Sequence, residues 1–112
     1  MLVSNEEITT ALKSIDALFV DESVWTQNAS ARNAHGDRVT PDDKTAVRWC
    51  LLGGISKVCC MPYSELKATI SMLFHRYAGL AMSVYNDTHT FAQVKALIEE
   101  VIEAHAAQVS GG

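Results

Sequence analysis

Apolar residues recur at helical spacing through most of this chain. The first helix is predicted over residues 5–19, with Ser4 as its N-cap. Glu7 follows Ser4 by three residues, the spacing of a capping box, in which each side chain satisfies a backbone N–H of the other residue. The apolar face of this helix comprises Ile8, Leu12, Ile15, Leu18 and Phe19.

A second and more apolar helix is predicted over residues 40–60. Thr40 is a suitable N-cap, Pro41 favours the first turn, and Asp42 and Asp43 suit the positive end of the helix dipole. Beyond these residues only a narrow polar strip remains, which predicts a central position in a small bundle.

Two consecutive glycines, Gly53 and Gly54, lie inside this predicted helix. Each glycine in a helix interior costs about 1 kcal/mol relative to alanine. We therefore infer close approach by a neighbouring helix or by an aromatic ring, for which Trp25 is one candidate.

Two further helices are predicted in the C-terminal half. One covers residues 64–80 and begins at the Ser64 cap, while the other begins at Thr90, which forms a capping box with Gln93. Residues 81–89 are predicted as a short connection. The pattern as a whole predicts an all-α, compact four-helix bundle, with one helical domain over residues 1–109 and a disordered tail over residues 110–112.

A polar stretch over residues 21–40 separates the first two predicted helices. Connections longer than about 12–15 residues are usually functional or disordered, and the tryptophan here favours an ordered loop. Gly36 predicts a tight turn, because glycine readily adopts positive φ. The flanks, residues 29–33 and 38–39, either pair as a small β-hairpin or remain a loop.

Composition excludes several classes of protein. The chain has 112 residues, which predicts one domain, and its net charge of −4 and scattered basic residues argue against nucleic-acid binding. Three cysteines are an odd number, which indicates a reducing cytoplasmic compartment. No signal segment is seen and no apolar run is long enough for a membrane span.

Cys50 is the first candidate for chemistry. A cysteine nucleophile needs a nearby histidine and an orienting polar group, which His35, His89 and Asp87 supply if the two loops meet over the second helix. The favoured alternative is a small buried side chain, because free cysteine is among the most buried residue types.

A metal site is the second candidate, with Cys59 and Cys60 joined by His75 or His35. Neighbouring helical residues point about 100° apart, and no Cys-x-x-Cys or His-x-x-x-His spacing is present. We therefore predict no metal and no cofactor.

The pair Asn86-Asp87 admits two interpretations. Asx side chains commonly bond to backbone amides in turns, and this structural interpretation is favoured. Alternatively the pair faces the long loop as part of a binding surface, or Asp87 forms an ion pair with Arg32 or Arg48. The candidate binding residues are Trp25, Arg32, His35, Tyr85, Asn86 and Asp87.

Several short motifs together resemble a family of small bacterial and phage proteins described as a domain of unknown function. The motifs are Trp25, Ala31-Arg32…Gly36…Val39, Ala46-Val47-Arg48-Trp49-Cys50-Leu51-Leu52-Gly53 and Asn86-Asp87. The chain departs from that pattern at Tyr85, where the family tends to have Trp, and at Gly54, where Ala is usual. The resemblance implies no activity.

The leading hypothesis is a non-enzymatic protein-binding module, and the resemblance implies a phage or mobile-element accessory or anti-defence factor. Small size and the lack of a convincing catalytic set favour it. One alternative is a small cysteine-dependent enzyme or small-ligand-binding protein using Cys50 and the Asn86-Asp87 turn. The other is a self-associating structural protein that forms a homodimer.

Overall fold

Helices and a small sheet together build this protein, which is an α+β fold. The computed structural model describes residues 3–59 and 65–111. Within them the helices are α1 (Asn5–Leu18), α2 (Leu51–Cys59), α3 (Glu65–Ala78), α4 (Met82–Thr88) and α5 (Phe91–Gly111), and a 3-10 turn covers Glu22–Val24. The strands are β1 (Ala31–Asn33), β2 (Arg38–Val39) and β3 (Ala46–Trp49). The prediction of an all-α four-helix bundle was therefore wrong.

The first helix begins and ends where its local sequence predicts. The Glu7 amide donates to Ser4 Oγ at 3.1 Å, and the Ser4 amide donates to the Glu7 carboxylate at 3.3 Å, which completes the capping box. Phe19 is the C-cap, and its side chain is fully buried. The predicted bounds of this helix are confirmed to within one residue.

The hairpin interpretation of the long loop is confirmed. Gly36 has φ +84° in the turn between β1 and β2, a conformation that a side chain would strain. The register pairs Ala31 with Val39 and Arg32 with Arg38. The sheet is antiparallel, with β1 between β2 and β3.

The first half of the predicted second helix is instead a turn and a strand. The Asp43 amide donates to the Thr40 carbonyl at 3.1 Å, which makes Pro41 the second residue of a β-turn. Asp43 accepts from the Thr45 amide at 2.8 Å, and hydrogen bonds from Thr45 lower the pKa of its carboxyl. The hydrogen bonds of these residues are made locally. Residues 40–43, which were predicted to begin a helix, therefore form a turn.

Strand β3 forms because its neighbours along the sheet supply partners that the sequence pattern does not reveal. Trp49 pairs with Ala31 of β1, and its carbonyl accepts from the Thr26 amide at 3.0 Å. Val and Trp are residues that favour strands. Consequently α2 begins only at Leu51, and Cys50 precedes the helix rather than lying inside it.

Close approach at the paired glycines is confirmed, but the neighbours are not the one predicted. A Cβ on Gly53 would overlap the backbone carbonyl of Ser30, and a Cβ on Gly54 would overlap the ring of Phe19. The predicted contact with Trp25 was therefore wrong. Helix α2 packs instead against Ser30, which precedes β1, and against Phe19 at the end of α1.

The C-terminal half contains one helix more than predicted. Residues 82–88 form α4, so the prediction of a plain connection over 81–89 was wrong. Helix α4 lacks a side-chain cap and is only two turns long, so it depends on tertiary packing, with Met82 and Asn86 buried. The predicted Ser64 cap lies outside the described residues.

The last helix begins as predicted. The Thr90 amide donates to Gln93 Oε1 at 2.9 Å, and the Gln93 amide donates to Thr90 Oγ1 at 3.2 Å, so the second capping box is confirmed. Helix α5 extends to Gly111 and packs along α1 and α3. His105 on its apolar side is buried, with Nε2 3.3 Å from the Asn5 carbonyl oxygen.

The core lies between α1, α2, α3 and α5, while the sheet and α4 close the end at which α2 begins. Its largest fully buried side chains are Phe19, Phe74, Leu12, Ile15, Leu51, Ile55, Ile70 and Ile98. Helix α4 packs against α2, α3 and α5, and hydrogen bonds tie it to the long loop.

Candidate functional site

Two of the candidate residues, Trp25 and Asp87, bond to the side chain of Asn86, which is fully buried. Its Oδ1 accepts from Trp25 Nε1 at 2.6 Å and from the Leu51 amide at 2.9 Å. Its Nδ2 donates to the Thr26 carbonyl at 3.0 Å and to Asp87 Oδ1 at 3.1 Å. An asparagine side chain has two donors and two acceptor sites, and all four are used here.

The Leu51 contact makes Asn86 a cap supplied from a distant part of the chain. The first amides of a helix have no partner within the helix and need an acceptor from elsewhere. Asn86 supplies that acceptor to α2 across 35 residues. One side chain therefore fixes the start of α2, the indole of Trp25 and the position of α4.

The long loop is tied to α4 by two further side chains. Gln27 Nε2 donates to the carbonyls of Asn86 and His89, both at 3.0 Å. The Asn28 amide donates to Asp87 Oδ1 at 2.9 Å, and Asn28 itself has φ +63°. The structural interpretation expected a local turn, whereas the Asn86-Asp87 pair lies in a helix and bonds to distant backbone groups of Thr26, Asn28 and Leu51.

Arg32 spans the interior of the loop. Its Nε donates to Thr26 Oγ1 at 2.9 Å, and its two terminal nitrogens donate to the carbonyls of Gly36 and Gln27 at 2.9 and 3.2 Å. Among the described residues Asp87 forms no ion pair with Arg32 or Arg48. The ion-pair hypothesis for the loop is replaced by these neutral acceptors.

Cys50 is the local N-cap of α2. Its Sγ accepts from the Gly53 amide at 3.2 Å, and its carbonyl accepts from the Gly54 amide at 2.8 Å. The side chain is buried, and burial raises the pKa of the Cys50 thiol above its ordinary value. A thiol of this kind remains protonated and fills a capping role.

The two candidate histidines lie apart from the Cys50 sulfur. His35 is exposed at the hairpin turn, where its amide donates to Asn33 Oδ1. His89 stacks on Tyr85, with ring centroids 3.7 Å apart, and its Nδ1 lies 2.8 Å from the Tyr85 carbonyl oxygen. No histidine in the part of the chain that the structure describes bonds to Cys50 Sγ. The catalytic arrangement considered from the sequence is not assembled.

We expect native Cys50 to resist alkylation. Iodoacetamide reacts with the thiolate, and burial both raises the pKa of this thiol and blocks access to it. Mass spectrometry of the native protein should show little modification at Cys50, with rapid labelling after denaturation. Fast native labelling at this position would contradict its role as a buried cap.

The raised pKa of Cys50 also predicts that the protein loses stability at alkaline pH. An unfolded thiol loses its proton at about pH 8.5, whereas the folded thiol retains it to higher pH. Unfolding therefore becomes easier as pH rises above that value. The decline should be smaller in Cys50→Ser, whose hydroxyl retains the cap and does not titrate there.

The other aromatic candidates are partly covered. Trp25 is half-buried, with its indole N–H on Asn86 and its ring tilted against Phe91 at a centroid distance of 5.9 Å. Trp49 is buried and donates from Nε1 to the Pro41 carbonyl at 2.9 Å. Burial raises the pKa of Tyr85, with a smaller contribution from Glu100.

A groove between α3 and α4, floored by α2, was missed from the sequence. It has a volume of about 520 Å³. Its lining comprises Leu52, Ser71, Met72, His75, Arg76, Ala81, Met82 and Ser83. We refer to it as the α3–α4 groove.

The strip of α3 that faces this groove follows helical spacing. Met72 and Arg76 are four residues apart, as are Ser71 and His75, so the two pairs lie side by side. Met72 is 66% exposed, which is high for an apolar side chain in a helix. Met72 lies off the buried face of α3, which is formed by Ile70 and Phe74.

Within residues 3–59 and 65–111 no group of three or more His, Cys, Asp or Glu side chains is placed to hold a metal, and Cys60 lies outside those ranges. No helix in these ranges has the length and apolar character needed to cross a membrane. Comparison of the chain with protein-family models, curated proteins and solved structures gave no match.

Proposed function

We propose that this α+β domain is a non-enzymatic protein-binding module whose contact surface is the α3–α4 groove. The observation that carries the proposal is an open groove with an apolar floor and an exposed methionine on its rim. Exposed apolar side chains grouped around a groove are typical of surfaces that bind another protein.

The methionines suit such a surface. Met72 stands on the rim, and Met82 is buried against the floor. Methionine has a flexible, polarisable side chain that adapts its shape to a partner. The groove can therefore close around an apolar side chain with little rearrangement of the backbone.

The Asn86 network supports this function indirectly. It fixes α4 to the start of α2 and to the long loop through hydrogen bonds of 2.6–3.1 Å. Helix α4 is one wall of the groove, so the network holds that wall in place before any partner binds. A groove formed in advance loses less conformational entropy on binding.

Other features bear on the biological setting. Three cysteines, an odd number, favour a cytoplasmic location, which we propose for this protein. The resemblance to small bacterial and phage proteins leads us to propose an accessory or anti-defence role for the complex.

The proposal is tested by comparing Met72→Glu with Val20→Glu. Val20 is 68% exposed, nearly matching Met72, but it does not line the groove. A carboxylate at position 72 would sit on the apolar rim and would have to be desolvated when a partner binds. We expect a partner captured stoichiometrically by the wild type and by Val20→Glu to bind Met72→Glu at least about tenfold more weakly.

Circular dichroism would first establish that both variants are folded. A photo-crosslinking residue at position 72 should label that same partner, whereas one at position 20 should not. Equal binding by the two variants, or the absence of any stoichiometric partner, would contradict the proposal.

A further inference from the structure

The α3–α4 groove has a charge that differs from that of the chain. The chain carries a net charge of −4, yet the ionisable side chains among the eight lining residues are His75 and Arg76, and none of the eight is Asp or Glu. Both basic residues are exposed. An acidic ligand is therefore repelled by much of the surface and attracted at this groove.

Arg76 is available for such a ligand. Its guanidinium makes no hydrogen bond or ion pair with any residue in the described ranges, in contrast to Arg32, whose donors are occupied by loop oxygens. A guanidinium binds carboxylates with two parallel hydrogen bonds. The rim thus presents a free, directional carboxylate-binding group next to an apolar floor.

The size of the groove limits the kind of partner. Its volume of about 520 Å³ falls in the range of roughly 300–1,000 Å³ typical of sites for drug-sized ligands. A space of this size takes a few side chains of one segment rather than the surface of a whole domain. A groove between two helices can accommodate the apolar face of a short helix.

We propose that the groove binds a short amphipathic segment of a protein partner, with apolar side chains on the floor and Asp or Glu side chains against Arg76. This inference rests on the proposed function and specifies its ligand. Ser71 and Ser83 line the same groove and offer hydroxyls to polar groups of the bound segment.

Selection from a random peptide library displayed on phage provides the test, with the folded 112-residue chain as bait. We expect enriched peptides to carry apolar residues at i, i+3 or i+4 spacing, with Asp or Glu beside them. A synthetic copy of an enriched peptide should bind the wild type and Val20→Glu equally. It should bind Arg76→Glu about tenfold more weakly, with a difference that shrinks as salt is added.

Charge exchange supplies the decisive control. Replacing the acidic residues of that peptide by Lys should weaken binding to the wild type and restore binding to Arg76→Glu. Peptides that depend on Met72 but bind Arg76→Glu and the wild type alike would overturn the acidic ligand while retaining the binding groove. If neither Met72→Glu nor Arg76→Glu changes the affinity for the enriched peptides, or if no peptide is enriched, the proposed function is overturned as well.

A second copy of the chain is the competing occupant. Light scattering should show wild type and Met72→Glu with the same mass. A wild-type dimer that Met72→Glu converts to monomer would show that the groove binds another copy, and would overturn the proposed ligand.

Discussion

Replacing Asn86 by alanine is expected to lower the free energy of unfolding by about 3–5 kcal/mol. The substitution removes the acceptor of the Trp25 indole and of the Leu51 amide, and the donor to the Thr26 carbonyl. A buried polar group left without a partner costs about 1–3 kcal/mol. Three such groups arise around one position that has no access to water, so the losses combine.

Urea denaturation followed by tryptophan fluorescence would measure this change, because Trp25 bonds directly to Asn86. Asn5→Ala is a matched control, since Asn5 is exposed and its side chain makes no hydrogen bond in the described structure. We expect the control to stay within about 0.5 kcal/mol of wild type. A loss below about 1 kcal/mol for Asn86→Ala would show that the network is not a main support of the fold.

Asn86→Asp separates the acceptor role from the donor role. A carboxylate retains acceptors for Trp25 and Leu51, but it cannot donate to the Thr26 carbonyl and it stands beside Asp87. Burial and the neighbouring carboxylate both raise the pKa of the new group. The unfolded state then binds fewer protons than the folded state, so Asn86→Asp should gain stability relative to wild type as pH falls.

Loss of the Asn86 hydrogen bonds should also weaken binding at the α3–α4 groove. Helix α4 and its N-cap residue supply Met82, Ser83 and Ala81 to the lining, and the helix has no side-chain cap. Asn86 ties α4 to α2 and the loop, so its removal frees one wall to open locally. Stability of the network and affinity at the groove are thus linked through one short helix, although the two sites share no residue.

Elements with local start and stop signals could be predicted from the sequence. The capping boxes at Ser4 and Thr90 are made by residues three apart, so they identify α1 and α5 without any knowledge of the rest of the chain. The β1–β2 hairpin likewise depends on a glycine at a turn that needs positive φ. Each of these signals depends only on residues that are close together in the sequence.

Elements stabilised by distant residues could not be predicted in this way. Strand β3 exists because Trp49 pairs with Ala31 and its carbonyl accepts from the Thr26 amide. Residues 40–43 satisfy both helix-start and turn preferences. Helix α4 has weak local signals, and its buried Asn86 favours turns when judged alone. Tertiary contacts decided both cases, and the sheet that β3 joins is what makes the all-α prediction wrong.

The candidate site shows the same division. The sequence identified Trp25, Asn86 and Asp87 as residues of interest, and the structure brings them together. The sequence could not reveal that the polar groups of these residues bond to each other and to the backbone. The groove was hidden because one of its walls is α4, and residues 81–89 were predicted as a plain connection.

Gly53→Ala is expected to destabilise the protein by about 3 kcal/mol. Helix propensity alone predicts the opposite sign, a gain of about 1 kcal/mol. The added Cβ would overlap the Ser30 carbonyl, which accepts from the Cys50 amide at 3.1 Å at the junction of the sheet and α2. Because a backbone group cannot rotate away, either that hydrogen bond or the start of α2 must shift.

Gly54→Ala is the matched comparison, measured by the same chemical denaturation. Its new Cβ would meet the ring of Phe19, which is a side chain and can adjust, although its burial limits the adjustment. We therefore expect a smaller loss than for Gly53→Ala, and we expect Cys50 to become reactive to iodoacetamide in Gly53→Ala alone. A Gly53→Ala protein as stable as wild type would show that helix propensity outweighs the contact, and that α2 can move away from Ser30.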